Sequence, residues 1–158
     1  AKVFMPALQS VANCLQRIST KITFPDQDSD DILISCFTAE TQTFTSAALC
    51  ASSLVTLLNA KCLALLPKLV KPLLTTLKSS NENQRQISNE KSQSDTILQS
   101  IRLIQLSTLR ALVAVAERIP QFFVPYVETL LGPNVLPAAC LRNSHSEEDI
   151  AVNNTAER

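Results

Sequence analysis

The sequence has one glycine, no tryptophan and one histidine among its 158 residues. Phosphate-binding loops need clustered glycines, and tetratricopeptide repeats need a pattern of tryptophan, glycine and tyrosine, so both are excluded. The single histidine, His145, lies in a polar stretch without clustered thiols, which argues against a zinc site or a histidine-based catalytic set. We therefore expect no enzyme activity, no metal and no cofactor.

Net charge is also absent, because 14 basic residues balance 14 acidic ones. A chain without a global basic field lacks the usual mark of a self-sufficient nucleic-acid-binding protein, so any such contact would have to be local. The cysteines are odd in number and form no C-x-x-C pair, and this usage predicts free thiols in a reducing intracellular compartment. They are Cys14, Cys36, Cys50, Cys62 and Cys140.

The first residues do not resemble a signal peptide, and the most apolar stretch of the sequence is not expected to span a membrane. Residues 1–15 carry prolines and polar residues where a signal peptide has its apolar core. The most apolar stretch, residues 54–77, contains three lysines and two prolines, and we expect it not to cross a membrane. The hydrophobic pattern of the helices is already under way at residues 1–4, which indicates that the chain is a piece of a longer protein.

The sequence does contain a hydrophobic motif with two prolines that occurs more than once. Residues 66–77 and 119–130 align at an offset of 53, with Pro67 matching Pro120 and Pro72 matching Pro125. A shorter copy, residues 5–8, matches residues 66–69 at an offset of 61. Proline at the first helical position loses only an unpartnered amide, whereas proline five residues later kinks the helix. Kinked amphipathic helices at this spacing predict a stacked array of helical repeats.

The predicted fold is all-α, an α-solenoid of antiparallel helix pairs over residues 1–141. The first, or A-type, helices of the pairs are predicted at about 5–19, 67–78 and 120–131. The second, or B-type, helices are predicted at about 30–62 and 95–118. Their starts, at Asp30 and Asp95, are alike and 65 residues apart.

The earlier B-type helix carries 12 more residues than the later one before the next proline motif. We predict a break near residues 41–45, where three β-branched threonines weaken the helix, and a single long helix is the alternative. Residues 79–94 are predicted to be a mobile loop, because they are polar and show no apolar period. Residues 142–158 are predicted to be a polar tail.

One surface feature of the second A-type helix is a candidate binding site. Lys68, Lys71 and Lys78 lie within about 80° of one another on a helical wheel. A solvated outer face explains them, and a contact with phosphate or an acidic partner segment is the alternative. At the offset of 53 they become uncharged residues, so this ridge is not a feature of every repeat.

The segments Leu-Pro-x-Leu-Val-x-Pro-Leu-Leu (66–74) and Ile-Pro-Gln-Phe-Phe-Val-Pro-Tyr-Val-Glu-Thr-Leu-Leu (119–131) resemble HEAT repeats. They resemble the repeats of the very large HEAT-repeat scaffold family of the ribosomal small-subunit processome, well over about residues 60–131 and loosely over the rest. The resemblance implies a nucleolar scaffold of pre-ribosomal RNA processing, with proteins and RNA phosphates as partners and no small-molecule substrate. Adaptors of nuclear transport or cytoskeletal assembly, and a ligand-binding helical bundle, are the alternatives.

Overall fold

The computed structural model describes residues 3–25, 29–88 and 95–126, and within them the chain is all-α with no strand. The four long helices are α1 (Phe4–Lys21), α2 (Asp31–Leu58), α3 (Leu66–Ser88) and α4 (Asp95–Arg118). A 3-10 linker of seven residues, Asn59–Leu65, joins α2 to α3. The short helix α5 (Pro120–Phe123) is followed by a 3-10 turn, Val124–Tyr126.

The helices form two layers around one hydrophobic core. α1 packs beside α3, and we name this pair the A layer; α2 packs beside α4, and this pair is the B layer. α1 also packs on α2, and α3 packs on α4, whereas the diagonal pairs make at most marginal contact. The most extensive contact joins α2 to α4. The chain is therefore two helix pairs packed side by side, and the all-α prediction is confirmed.

The repeated motif buries equivalent positions in successive A-type helices. Leu8 in α1 and Leu69 in α3, which are 61 residues apart, are both fully buried. At the offset of 53, Val70 in α3 and Phe123 in α5 are both buried, and so are the residues that precede the first proline of each copy, Leu66 and Ile119. Pro67 and Pro120 are exposed in the first turns of their helices, whereas Pro72 is buried inside α3.

The predicted break near residues 41–45 is wrong, because α2 runs unbroken from Asp31 to Leu58. Thr41 and Phe44 are buried, and the hydroxyl of Thr43 donates to the carbonyl of Ala39 at 3.1 Å, so packing overrides weak helix propensity. The chain instead leaves the helix at Asn59, before the predicted end near 62. The φ of Asn59 is positive, 51°, a backbone conformation that residues other than glycine seldom adopt. Seven of the 12 extra residues of this unit form the 3-10 linker, and the rest belong to the longer α2 and its start.

α3 is longer than predicted, because residues 79–88 continue the helix where we expected a loop. Ser80 and Asn81 are buried, and the Ser80 hydroxyl donates to the carbonyl of Leu77 at 2.8 Å. The polar composition of this stretch therefore hides a buried helix face. Residues 89–94 lie outside the described residues.

The remaining helix predictions have mixed outcomes. α4 has the predicted bounds, and α1 contains the predicted helix at 5–19. The helix predicted at 120–131 is described only as α5 and the 3-10 turn; residues 127–131 and the tail at 142–158 lie outside the described residues. The two B-type helices begin with similar sequences but differ in burial. Ile32 of α2 is 72% exposed, whereas the equivalent Ile97 of α4 is 5% exposed.

Candidate functional site

The three predicted lysines are all exposed on the outer side of α3. Lys68, Lys71 and Lys78 lie about 140 to 160° around the helix from Leu73, which is fully buried. Arg85 continues the ridge, about 25 Å along the axis from Lys68. Arg85 was not predicted to belong to this ridge, because it falls in the stretch that was predicted to be a loop.

Basic residues extend from this ridge across the A layer. Arg17 and Lys21 are exposed on α1, about 140 to 180° from the buried Leu8, so they also point away from the core. The sequences of α1 and α3 together contain six basic residues and one acidic residue, Glu82. The two B-layer helices contain three basic and four acidic residues. The zero net charge of the chain therefore hides a strongly basic layer.

The opposite kind of surface lies on α2, which is uncharged from residue 41 to its end. Exposed residues recur along it at alternate steps of four and three, and we name this set the α2 stripe. Its members are Ile32, Cys36, Ala39, Thr43, Ser46, Cys50, Ser53 and Leu57. Ile32 is 72% exposed and Leu57 is 61% exposed. Steps of four and three are typical of a helix face that packs along another helix.

α4 carries small residues at the same spacing as the α2 stripe, and on α4 another helix covers them. Gln105 of α4 contacts α3, and the small buried residues Ser100, Ser107 and Ala114 lie about 140 to 180° around the helix from it. They must face α2, because α2 and α3 are the long helices that pack on α4. The α2 stripe contains Cys36, Thr43 and Cys50 at the same spacing of seven, but there they are exposed.

A buried polar network joins α4 to α3. The side-chain amide of Gln105, which is fully buried, donates to Asn81 Oδ1 at 2.7 Å and to Gln84 Oε1 at 2.8 Å. A buried amide without partners would cost stability, so these bonds favour one rotation of α4 against α3. Sequence reasoning missed the network because its partners are 21 and 24 residues apart.

The cysteines of the described residues are free thiols: Cys14, Cys36, Cys50 and Cys62. Cys62, in the 3-10 linker, is buried, and its thiol donates to the carbonyl of Asn59 at 2.9 Å. Burial raises the pKa of the Cys62 thiol, and a backbone hydrogen bond offsets this only in part. A raised pKa is the opposite of what an activated nucleophile needs. Cys140 lies outside the described residues.

An open groove with a volume of about 540 Å³ lies between α1 and α2. None of its lining residues is charged; they are Ser10, Val11, Cys14, Gln42, Thr43, Ser46 and Ala47. Within the described residues, no group of three His, Cys, Asp or Glu side chains is placed to hold a metal ion. His145 lies outside those residues, and the absence of enzyme activity stays a prediction.

Two helical stretches of the described chain are long and apolar enough to cross a membrane by length and composition alone. One runs from Asp31 to Ile87, with a mean hydropathy of 1.8, and 39% of its most apolar window is buried. The other is α4, with a mean hydropathy of 1.2 and 61% of the window buried, as in the core helix of a bundle. The expectation that the chain does not cross a membrane stays a prediction.

No family model, curated protein or solved structure matches the chain. The all-α class rests on the structure. The resemblance to HEAT repeats stays a prediction that rests on the sequence motif.

Proposed function

We propose that the chain is a non-catalytic segment of an α-solenoid, and that it holds other proteins on its helix faces as part of a scaffold. One observation carries this proposal: the α2 stripe, an exposed and uncharged helix face with the residue spacing of a helix–helix interface. Large exposed apolar surfaces mark interaction sites in folded proteins. A helix packed along the stripe would bury Ile32 and Leu57 and leave no charge without a partner.

The packing of the helices supports the solenoid part of the proposal. Each of the four long helices packs on its partner within a helix pair and on one helix of the neighbouring pair, as the helices of two adjacent repeats in a stacked array would. α2 packs on α1 and on α4, and its exposed stripe is the side on which a further helix would continue this packing. The repeated burial at Leu8 and Leu69, and at Val70 and Phe123, supports equivalent A-type positions.

The experiment introduces two negative charges into the α2 stripe of the tagged parent protein. Thr43→Glu/Cys50→Glu places carboxylates seven residues apart on the exposed face, where they would be desolvated by a bound helix. The matched control, Thr96→Glu/Ala116→Glu, adds the same charges at exposed positions of α4 that belong to neither the α2 stripe nor the basic residues of α1 and α3. We expect the first variant to lose protein partners that the control and the wild type retain, with unchanged circular dichroism.

Two results would count against this function. Equal partner recovery by both variants would show that the α2 stripe binds no protein. A small molecule that binds saturably and tightly, together with a compact scattering profile of the parent protein, would favour the ligand-binding helical bundle instead.

We further propose that the parent protein works in the nucleolus, in a ribonucleoprotein that processes pre-ribosomal RNA, without a cofactor or a small-molecule substrate. This part is supported only by the likeness of residues 60–131 to the repeats of the processome scaffold. Affinity purification of the parent protein with mass spectrometry tests it. Pre-ribosomal factors are expected, and recovery of nuclear-pore proteins or tubulin in their place would end the nucleolar proposal.

A further inference from the structure

The basic residues of the A layer are exposed on both of its helices, on the side away from the core. We name this side the basic face and define it by Arg17 and Lys21 of α1 and by Lys68, Lys71, Lys78 and Arg85 of α3, all of which are exposed. α1 and α3 pack side by side, and both turn these residues away from the core. Along α3 alone the basic residues span about 25 Å.

We infer that the basic face binds the phosphate backbone of nucleic acid. A linear array of cations attracts a linear polyanion through charge and the release of counterions, without base-specific contacts. The chain as a whole is neutral, so general attraction between net charges does not account for such binding. The inference goes beyond the protein binding proposed for α2, and it assigns a nucleic-acid contact that the proposed ribonucleoprotein setting leaves open. Binding on α2 and binding on the basic face succeed or fail separately.

The composition of the face favours nucleic acid over an acidic protein. Protein–protein interfaces have apolar and aromatic anchors at their centre. Among the described residues of α1 and α3, the one large hydrophobic that is exposed is Phe4, at the first position of α1. The other exposed residues of α3 between Lys68 and Arg85 are Thr75 and Glu82. Charge without apolar anchors fits phosphate contacts, which carry affinity but no sequence preference.

The test measures binding of the whole chain to fluorescent single-stranded poly(U) RNA by anisotropy, in salt from about 50 to about 200 mM. Each phosphate contact contributes about 0.7 to the slope of log affinity against log salt, so six cations set an upper limit of about 4. Lys68→Gln/Lys71→Gln/Lys78→Gln should lower the magnitude of the slope by about 2. Replacing the same lysines with arginine should preserve it.

A matched pair of double variants separates the basic face from net charge. Lys71→Gln/Lys78→Gln removes two exposed cations from α3, and Arg110→Gln/Arg118→Gln removes two exposed cations from α4. We expect the first pair to lower the slope by about 1.4 and the second to leave it unchanged. Because every substituted side chain is exposed, folding should be preserved, and circular dichroism checks this.

Three results would overturn the inference: no binding at about 50 mM salt, equal losses in the two double variants, or competition by poly-glutamate that equals RNA charge for charge. The last result would identify an acidic protein segment as the partner. Thr43→Glu/Cys50→Glu leaves the basic face intact, so it should bind poly(U) as the wild type does. A failure of the proposed protein-binding function is therefore distinguishable from a failure of RNA binding.

Discussion

The A layer and the B layer share one core, yet they expose opposite kinds of surface. Six basic residues and one acidic residue lie on α1 and α3, whose exposed residues are otherwise almost all small or polar. α2 exposes Ile32, Leu33, Leu49 and Leu57 and carries two acidic residues, Asp31 and Glu40. Two packed layers of helices can thus expose a basic side and an uncharged side, and a net charge of zero gives no hint of this difference.

The largest expected effects test whether the two layers do share a core. Phe44 in α2 and Leu69 in α3 are both fully buried. Phe44→Ala should lower the free energy of unfolding by about 3 to 5 kcal/mol and Leu69→Ala by about 2 to 5 kcal/mol, through lost burial and a residual cavity. Phe122→Ala should cost less, because Phe122 is half-buried. Urea unfolding measures all three, and a loss below about 1 kcal/mol for Phe44 or Leu69 would contradict a common core.

A smaller effect is expected at the polar contact between the layers. Gln105→Ala leaves Asn81 buried without its amide donor, so the free energy of unfolding should fall by about 1 to 3 kcal/mol. Gln99→Ala, at an exposed position of the same helix, should change little and serves as the control. Thermal and urea unfolding provide the measurement. If both substitutions were equally mild, Gln105 would not set the rotation of α4 against α3.

Replacing one buried hydroxyl group with a methyl group should increase the stability of the folded chain. Thr108 in α4 is fully buried, and its hydroxyl makes no hydrogen bond within the described structure. Thr108→Val removes this unsatisfied group and keeps the branched shape, so we expect a gain of about 1 kcal/mol. Thr43→Val is the control, because the Thr43 hydroxyl is exposed and bonded to Ala39. A lower melting temperature for Thr108→Val would show that the hydroxyl has a partner.

The smallest effect on stability is expected at the prolines of the repeat. Pro72→Ala should restore a backbone hydrogen bond in α3 and remove a buried ring, and these changes offset each other to within about 1 kcal/mol. α3 should straighten, so the distance between spin labels at Lys68 and Arg85 should lengthen. Pro125→Ala should have a weaker effect, because Pro125 is exposed in a 3-10 turn. A loss as large as that of Leu69→Ala would contradict the role of Pro72 as a kink.

The sequence was informative where a periodic pattern coincided with burial. The repeated start at Asp95 and the proline motif after Arg118 gave the correct bounds of α4, and the helical wheel placed Lys68, Lys71 and Lys78 on one exposed side. The sequence was misleading where tertiary contacts outweighed the local propensity of the residues for helix or loop. Three threonines did not break α2, because the core holds Thr41 and Phe44, and the polar run after Lys78 stayed helical because Asn81 has a partner on α4.

Pairing between distant polar side chains cannot be read from polarity alone, which is why Gln105 was missed. The basic face, in contrast, had a signal in the sequence. Basic and acidic residues counted separately for A-type and B-type helices would have shown the imbalance, which the count over the whole chain concealed. The α2 stripe was also readable as a run of steps of four and three. The prediction of a break at 41–45 divided that run.

The order of synthesis gives the contact between α2 and α4 a further consequence. α2 makes its most extensive contact with α4. The last residue of α4, Arg118, nevertheless follows the last residue of α2, Leu58, by 60 residues. At a ribosomal rate of about 5 to 20 residues per second, the nascent chain waits roughly 3 to 12 s before α4 is complete. During that interval the part of α2 that α4 later covers and the uncharged stripe of α2 are both open to solvent. α2 is therefore the segment that we expect ribosome-associated chaperones to bind, and the one through which unfinished chains would aggregate.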